Sequence, residues 1–83
     1  MKKLAAYGTD DHPAGDPERV PAAWAVAMLD DCEECGDLRV ELTLEDAGQP
    51  GRGVVAHLAP ATARQLRAAL ATALREIGEP PGP

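Results

Sequence analysis

The sequence predicts an α+β fold, in which a three-stranded antiparallel meander carries one C-terminal helix packed on one face. Residues 38–45 alternate between aliphatic and polar side chains over eight positions, as a strand with one buried face does. Residues 60–77 place leucines at helical spacing instead, and a glycine and prolines follow them. The connections between the predicted strands are too short for parallel crossovers, so consecutive strands are expected to pair antiparallel.

Three segments have the character of strands. The first, residues 24–29, is short, uncharged and bounded by turn residues, which is typical of a central strand. The second, residues 38–45, has four aliphatic residues on one face and polar residues on the other. The third, residues 53–59, is expected to place Val55 and His57 on the same side of the sheet as those polar residues.

The helix is predicted over residues 60–77. Pro60 suits the first helical position because its missing N–H would be unpaired there, and Gly78 suits the position just after the helix. The apolar stripe of this helix consists of Leu66, Leu70, Leu74 and Ile77. We expect the stripe to pack on the aliphatic face of the second strand, with Trp24 capping one end of this core.

Polar, proline-punctuated sequence flanks the predicted domain. Residues 1–23 are predicted to form a flexible N-terminal segment, because residues 8–23 carry few bulky side chains to offset the entropy of ordering. The β-β-β-α domain is predicted over residues 24–78, and residues 79–83 form a disordered tail. Whether residues 1–7 add a strand stays open.

The charge of the chain argues against two classes of partner. The formal net charge is −6 at pH 7 over 83 residues. Non-specific affinity for nucleic acid needs clustered Lys and Arg, so we expect no direct nucleic-acid binding, and the same charge disfavours anionic membranes. The chain has no stretch of roughly 20 apolar residues and no apolar signal core after Lys2 and Lys3. We therefore expect a cytoplasmic protein.

The sharpest local signal is a C-x-x-C-G motif formed by Cys32, Cys35 and Gly36 in an acidic connection between the first two strands. Two thiolates at this spacing can bind one tetrahedral zinc ion, and the glycine lets backbone amides turn toward the sulfurs. A closed zinc site needs four ligands, and the chain has no second C-x-x-C. His12 and His57 together could complete a Cys₂His₂ set, although His12 lies in the flexible segment and His57 in a strand, or two chains could share four thiolates.

Two other interpretations of the motif stay open. One is a redox pair, although redox C-x-x-C motifs usually open a helix, whose N-terminal end lowers the thiol pKa. The other is a pair of cysteines in an acidic surface turn. His57 has no recognisable nucleophile beside it, and the chain contains no serine, so we expect no enzymatic activity.

Residues 53–70 read Gly-Val-Val-Ala-His-Leu-Ala-Pro-Ala-Thr-Ala-Arg-Gln-Leu-Arg-Ala-Ala-Leu. This stretch resembles a pattern common in small uncharacterised proteins of GC-rich actinomycetes, in which a valine-rich strand runs into Leu-x-Pro-x-x-Ala-Arg-x-Leu and an alanine-rich helix. Ala59 stands where the pattern has a capping Thr or Ser. The resemblance implies the host lineage, a strand-into-helix unit and, from some relatives, an accessory or regulatory role. It implies no catalytic residues.

Together these features predict a small non-enzymatic module that binds or regulates a protein partner and self-associates as a homodimer. The candidate partner-binding residues are Glu41, Thr43 and Val55 on the uncovered sheet face and Arg64 and Arg67 on the helix. One alternative is a zinc-stabilised knuckle domain built on the single C-x-x-C. The other, a small acidic inhibitor of a nucleic-acid-binding protein, rests on net charge alone.

Overall fold

The computed structural model describes residues 1–13 and 15–83, which fold into four strands and one helix. The elements are β1 (Lys2–Thr9), β2 (Ala22–Leu29), β3 (Arg39–Asp46), β4 (Gly53–Leu58) and α1 (Pro60–Glu76). The strands form one antiparallel sheet in the order β1-β2-β3-β4, and α1 follows the last strand. The α+β class, the antiparallel meander and the single C-terminal helix are therefore confirmed, with one strand more than the three predicted.

The additional strand is β1, at the edge of the sheet beside β2. It pairs from Lys2 opposite Met28 to Thr9 opposite Ala23, with two register shifts in between. Such irregularities break the two-residue period by which a strand is recognised, which is why this strand lacks an alternating pattern. The structure thus adds β1, which lies within the N-terminal segment predicted to be flexible, to the domain predicted over residues 24–78.

The pairing of β2, β3 and β4 is regular and separates an apolar face of the sheet from a mixed face. Leu42 of β3 lies between Val26 of β2 and Ala56 of β4, on the apolar face. The next residue, Thr43, pairs with Val55 and belongs to the mixed face. The alternation that predicted β3 is therefore realised in the sheet.

The helix α1 lies on the apolar face. It begins at Pro60, with Ala59 as an N-cap that makes no side-chain hydrogen bond, and its C-cap is Ile77. Gly78 follows with φ of +81°, in the left-handed region that favours glycine, so the predicted helix boundaries are confirmed to within one residue. The described chain contains no helix with the length and apolar character needed to traverse a bilayer.

The helix covers only part of the apolar face. No residue of α1 is buried, and a cavity of about 660 Å³ separates Leu66 and Leu70 from Val40 and Leu42 of the sheet. Leu44, which was expected beneath the helix, is 49% exposed. A single residue connects the end of β4 to the start of α1, so the helix begins over that end of the sheet. The buried apolar residues are instead Ala23, Ala25, Ala27 and Leu29, on the mixed face of β2.

Gly53 opens β4 at a point where the backbone of β3 comes very close. A Cβ at Gly53 would collide with the carbonyl oxygen of Leu44 and lie 2.5 Å from Cα of Glu45. Because both obstacles are backbone atoms, we expect Gly53→Ala to lower the free energy of unfolding by about 3 kcal/mol, measured by urea denaturation. Gly51→Ala is the control, since its Cβ would meet nothing within 4 Å and only the φ of +87° is strained, at a cost of about 1 kcal/mol. Equal losses would contradict the steric argument.

Candidate metal centre

The C-x-x-C motif lies in a turn of the β2–β3 connection. The N–H of Gly36 donates to the carbonyl oxygen of Cys32 at 3.3 Å, and Gly36 has φ of +68°. Arg39, at the start of β3, donates from its guanidinium to the carbonyl oxygen of Cys35 at 3.4 Å. Gly36 therefore closes the turn in the left-handed conformation. The side chain of Arg39 attaches the turn to β3.

Three side chains of the ligand types that zinc prefers converge beside this turn. One ligand atom each from Cys32, Cys35 and His57 lies within 4.8 Å of the other two. The Sγ of Cys35 is 3.3 Å from Nδ1 of His57. In a tetrahedral zinc site, sulfur and nitrogen ligands are about 3.5 Å apart, given the ordinary zinc–ligand bond lengths. The three residues are thus close enough to hold one metal ion.

Glu41 lies beside His57, on the side of the imidazole that faces away from the cysteines. The two residues are paired across β3 and β4, and the Oε2 of Glu41 lies 3.6 Å from Nε2 of His57. One ring nitrogen therefore faces the cysteines and the other faces a carboxylate. Histidines that bind metals commonly donate the second ring N–H to a carboxylate, and Glu41 lies just beyond that hydrogen-bond distance.

The surroundings of Cys35 raise the pKa of its thiol. A hydrogen bond with Cys32 and partial burial raise the pKa of Cys35, and the charge of Glu34 adds to this effect while Arg39 opposes it. The Sγ of Cys32 donates to Oε2 of Glu34 at 3.7 Å. Both cysteines are free and half-buried. The turn also lies outside any helix N-terminus, so the feature that activates redox C-x-x-C pairs is missing from this site.

His12, the other histidine weighed as a ligand, is engaged elsewhere. Its Nε2 lies 3.1 Å from Oδ2 of Asp16, in the β1–β2 connection. The structure thus brings His57, and not His12, to the C-x-x-C motif.

The predicted partner-binding residues do not form one surface. Thr43 is buried, Glu41 faces His57, and Val55 is exposed on the mixed face. Arg64 and Arg67 lie on α1, on the other side of the sheet, and line the cavity there. Arg67 also donates to the carbonyl oxygen of Pro83 at 3.0 Å.

The alignment of Cys35, His57 and Glu41 also has the order of a nucleophile, a base and a residue that orients the base. We did not recognise this order from the sequence, because it depends on the path of the β2–β3 connection. A cysteine nucleophile reacts as the thiolate, whereas the pKa of Cys35 is raised. The large cavity lies on the opposite face, beneath α1. The geometry therefore suits metal binding better than nucleophilic catalysis.

Comparison with known protein families, with curated proteins and with solved structures finds no match for this chain. The function of the site is therefore inferred from its own geometry.

Proposed function

We propose that this chain is a small zinc-stabilised module in which Cys32, Cys35 and His57 bind one zinc ion. The observation that carries the proposal is the convergence of their three ligand atoms within 4.8 Å, with Glu41 on the far side of the imidazole. Thiolate and imidazole ligands select zinc over hard cations such as magnesium and calcium. Zinc would supply a cross-link between the β2–β3 connection and β4.

The thin core gives a reason for such a cross-link. Among the side chains that the structure describes, no large one is fully buried, and three of the four buried apolar residues are alanines. A domain of this size obtains little stability from so small a core and commonly needs a metal, a disulfide or a partner. Zinc at Cys32, Cys35 and His57 would join segments that are 22 residues apart in sequence.

In this proposal the role of the zinc is structural, and the module acts by binding or regulating protein. A structural site is closed by a fourth protein ligand, and Glu34 would supply it, because its carboxylate already contacts Cys32. The raised pKa of Cys35 and the absence of serine from the sequence support a non-enzymatic role.

The test is native mass spectrometry of protein purified without chelator, repeated after EDTA. We expect one zinc ion per chain, lost on chelation. His57→Ala should lose the zinc, whereas His12→Ala should keep it, because His12 is the only other histidine and contacts Asp16 instead. A metal-free spectrum of the unmodified chain, or zinc that remains in His57→Ala, would refute the proposal.

A further inference from the structure

A row of large apolar side chains crosses the sheet on the part of the apolar face that α1 leaves uncovered. Trp24 of β2 pairs with Leu44 of β3, which pairs with Val54 of β4. Their exposed fractions are 38%, 49% and 68%. We call these three residues the apolar row. The row lies on the sheet face opposite to His57 and Glu41, so it is separate from the candidate metal centre.

The helix offers a second apolar surface on the same side of the molecule. Leu66, Leu70 and Ile77 are 37%, 59% and 73% exposed. These residues belong to the stripe that was expected to be covered by the sheet. The chain thus presents a half-covered helix stripe next to a half-covered sheet face, and each is suited to pack against the other type of surface.

Charged residues are nearly excluded from this face of β2, β3 and β4. Along β2, β3 and β4, the side chains on the face of the apolar row are uncharged except for Asp46 at the end of β3. The centres of protein interfaces show the same depletion of charge. The acidic residues that give the chain its net charge of −6 therefore do not prevent a second chain from packing here.

The exposed area of the chain is large for its mass. It is 6369 Å², whereas a compact monomer of 8.7 kDa exposes about 4,700 Å². The uncovered part of the apolar face contributes to this excess. The excess of about 1,600 Å² falls within the roughly 1,000–2,500 Å² that each chain buries in an obligate homodimer.

We propose that the apolar row is the centre of a homodimer interface. A second copy packs across the row, and the helix stripe of each chain covers the row of the other. A twofold dimer needs a self-complementary surface, and this chain carries both halves of one, in Leu66 and Leu70 on the helix and Leu44 and Val54 on the sheet. The inference goes beyond zinc binding and does not depend on it.

Adjacent valines of β4 provide a matched pair of variants. Val54 lies in the apolar row, whereas Val55 lies on the mixed face, and they are 68% and 55% exposed. Sedimentation equilibrium of the unmodified chain should give a mass twice the 8.7 kDa of the monomer. Val54→Lys should weaken dimerisation by at least about 30-fold, because it buries an unpaired ammonium, and Val55→Lys should leave it unchanged. A monomeric unmodified chain at 200 μM, or equal weakening by both variants, would overturn the proposal.

Two further measurements test the proposal if a variant fails to fold, or if the dimer forms through another surface. Trp24 is the only tryptophan, so its emission should shift to longer wavelength when the unmodified dimer is diluted. Emission that stays constant while the dimer dissociates would place the interface elsewhere and overturn the proposal. The dimer should also persist in EDTA. Dissociation by EDTA would point to chains that share zinc through their thiolates, and would likewise overturn it.

Discussion

Chelation of zinc is expected to lower the melting temperature of this protein by about 15–30 °C. A ligand present at a thousand times its dissociation constant stabilises the folded state by about 4 kcal/mol. In a domain of fewer than 100 residues, each kcal/mol moves the melting temperature by roughly 4–8 °C. The effect should be large because the core is thin, and no large side chain in the described part of the chain is fully buried. Thermal unfolding followed by circular dichroism, with zinc and with EDTA, measures it.

The variant Cys32→Ser tests whether Cys32 stabilises the protein as a zinc ligand or through its packing. Cys32 is only half-buried, so in EDTA the variant should melt within a few degrees of the unmodified chain. With zinc present, only the unmodified chain should gain stability, because a serine hydroxyl does not replace a thiolate ligand. Magnesium should stabilise neither protein. A melting temperature that zinc leaves unchanged would contradict the structural role assigned to the metal.

The fold was predictable where its signals are local. Pro60 and Gly78 mark the ends of α1, and the strict alternation of β3 gives its two faces. Local signals fail for β1, whose register shifts remove the alternating pattern. They also fail for the coverage of the apolar face. The stripe that includes Leu66 was recognisable, but its position above the sheet depends on the short link between β4 and α1, which no periodicity encodes.

The candidate metal centre was predictable in its parts but not in its assembly. The C-x-x-C motif, and the pairing of Glu41 with His57, follow from spacing and from strand register. The 3.3 Å approach of Cys35 to His57 depends on how the β2–β3 connection folds back at Gly36. The sequence allowed both His12 and His57 as ligands of a Cys₂His₂ set, and the candidate site predicted from it consisted of Cys32, Cys35 and His57. The tertiary structure brings His57, and not His12, to the C-x-x-C motif.

The stability of the protein should depend on pH in opposite directions with and without zinc. Zinc binds the thiolates of Cys32 and Cys35, so binding releases up to two protons. Below the pKa of the thiols, the affinity for zinc should therefore rise by up to about 100-fold per pH unit. Zinc-loaded protein should accordingly become more stable, relative to metal-free protein, from pH 6 to pH 8.

The metal-free protein should instead lose stability in alkaline solution. Because the pKa of Cys35 is raised in the folded state, the protonated thiol contributes stability that is complete below the pKa of the unfolded chain, about 8.5. That contribution disappears as the pH rises through the higher pKa of the folded protein. Melting temperatures from pH 6 to pH 10, with zinc and with EDTA, measure both trends.

Cys35→Ser is the control for both pH trends, because it removes one ligand and the shifted thiol together. In this variant the alkaline loss without metal should vanish, and the gain from zinc should be largely lost at every pH. The opposition of the two trends has one physical origin. The hydrogen bond with Cys32 and the charge of Glu34 raise the pKa of the Cys35 thiol, which therefore keeps its proton until a cation replaces it. Parallel pH curves with zinc and with EDTA would show that no thiol proton is exchanged for a metal at this site.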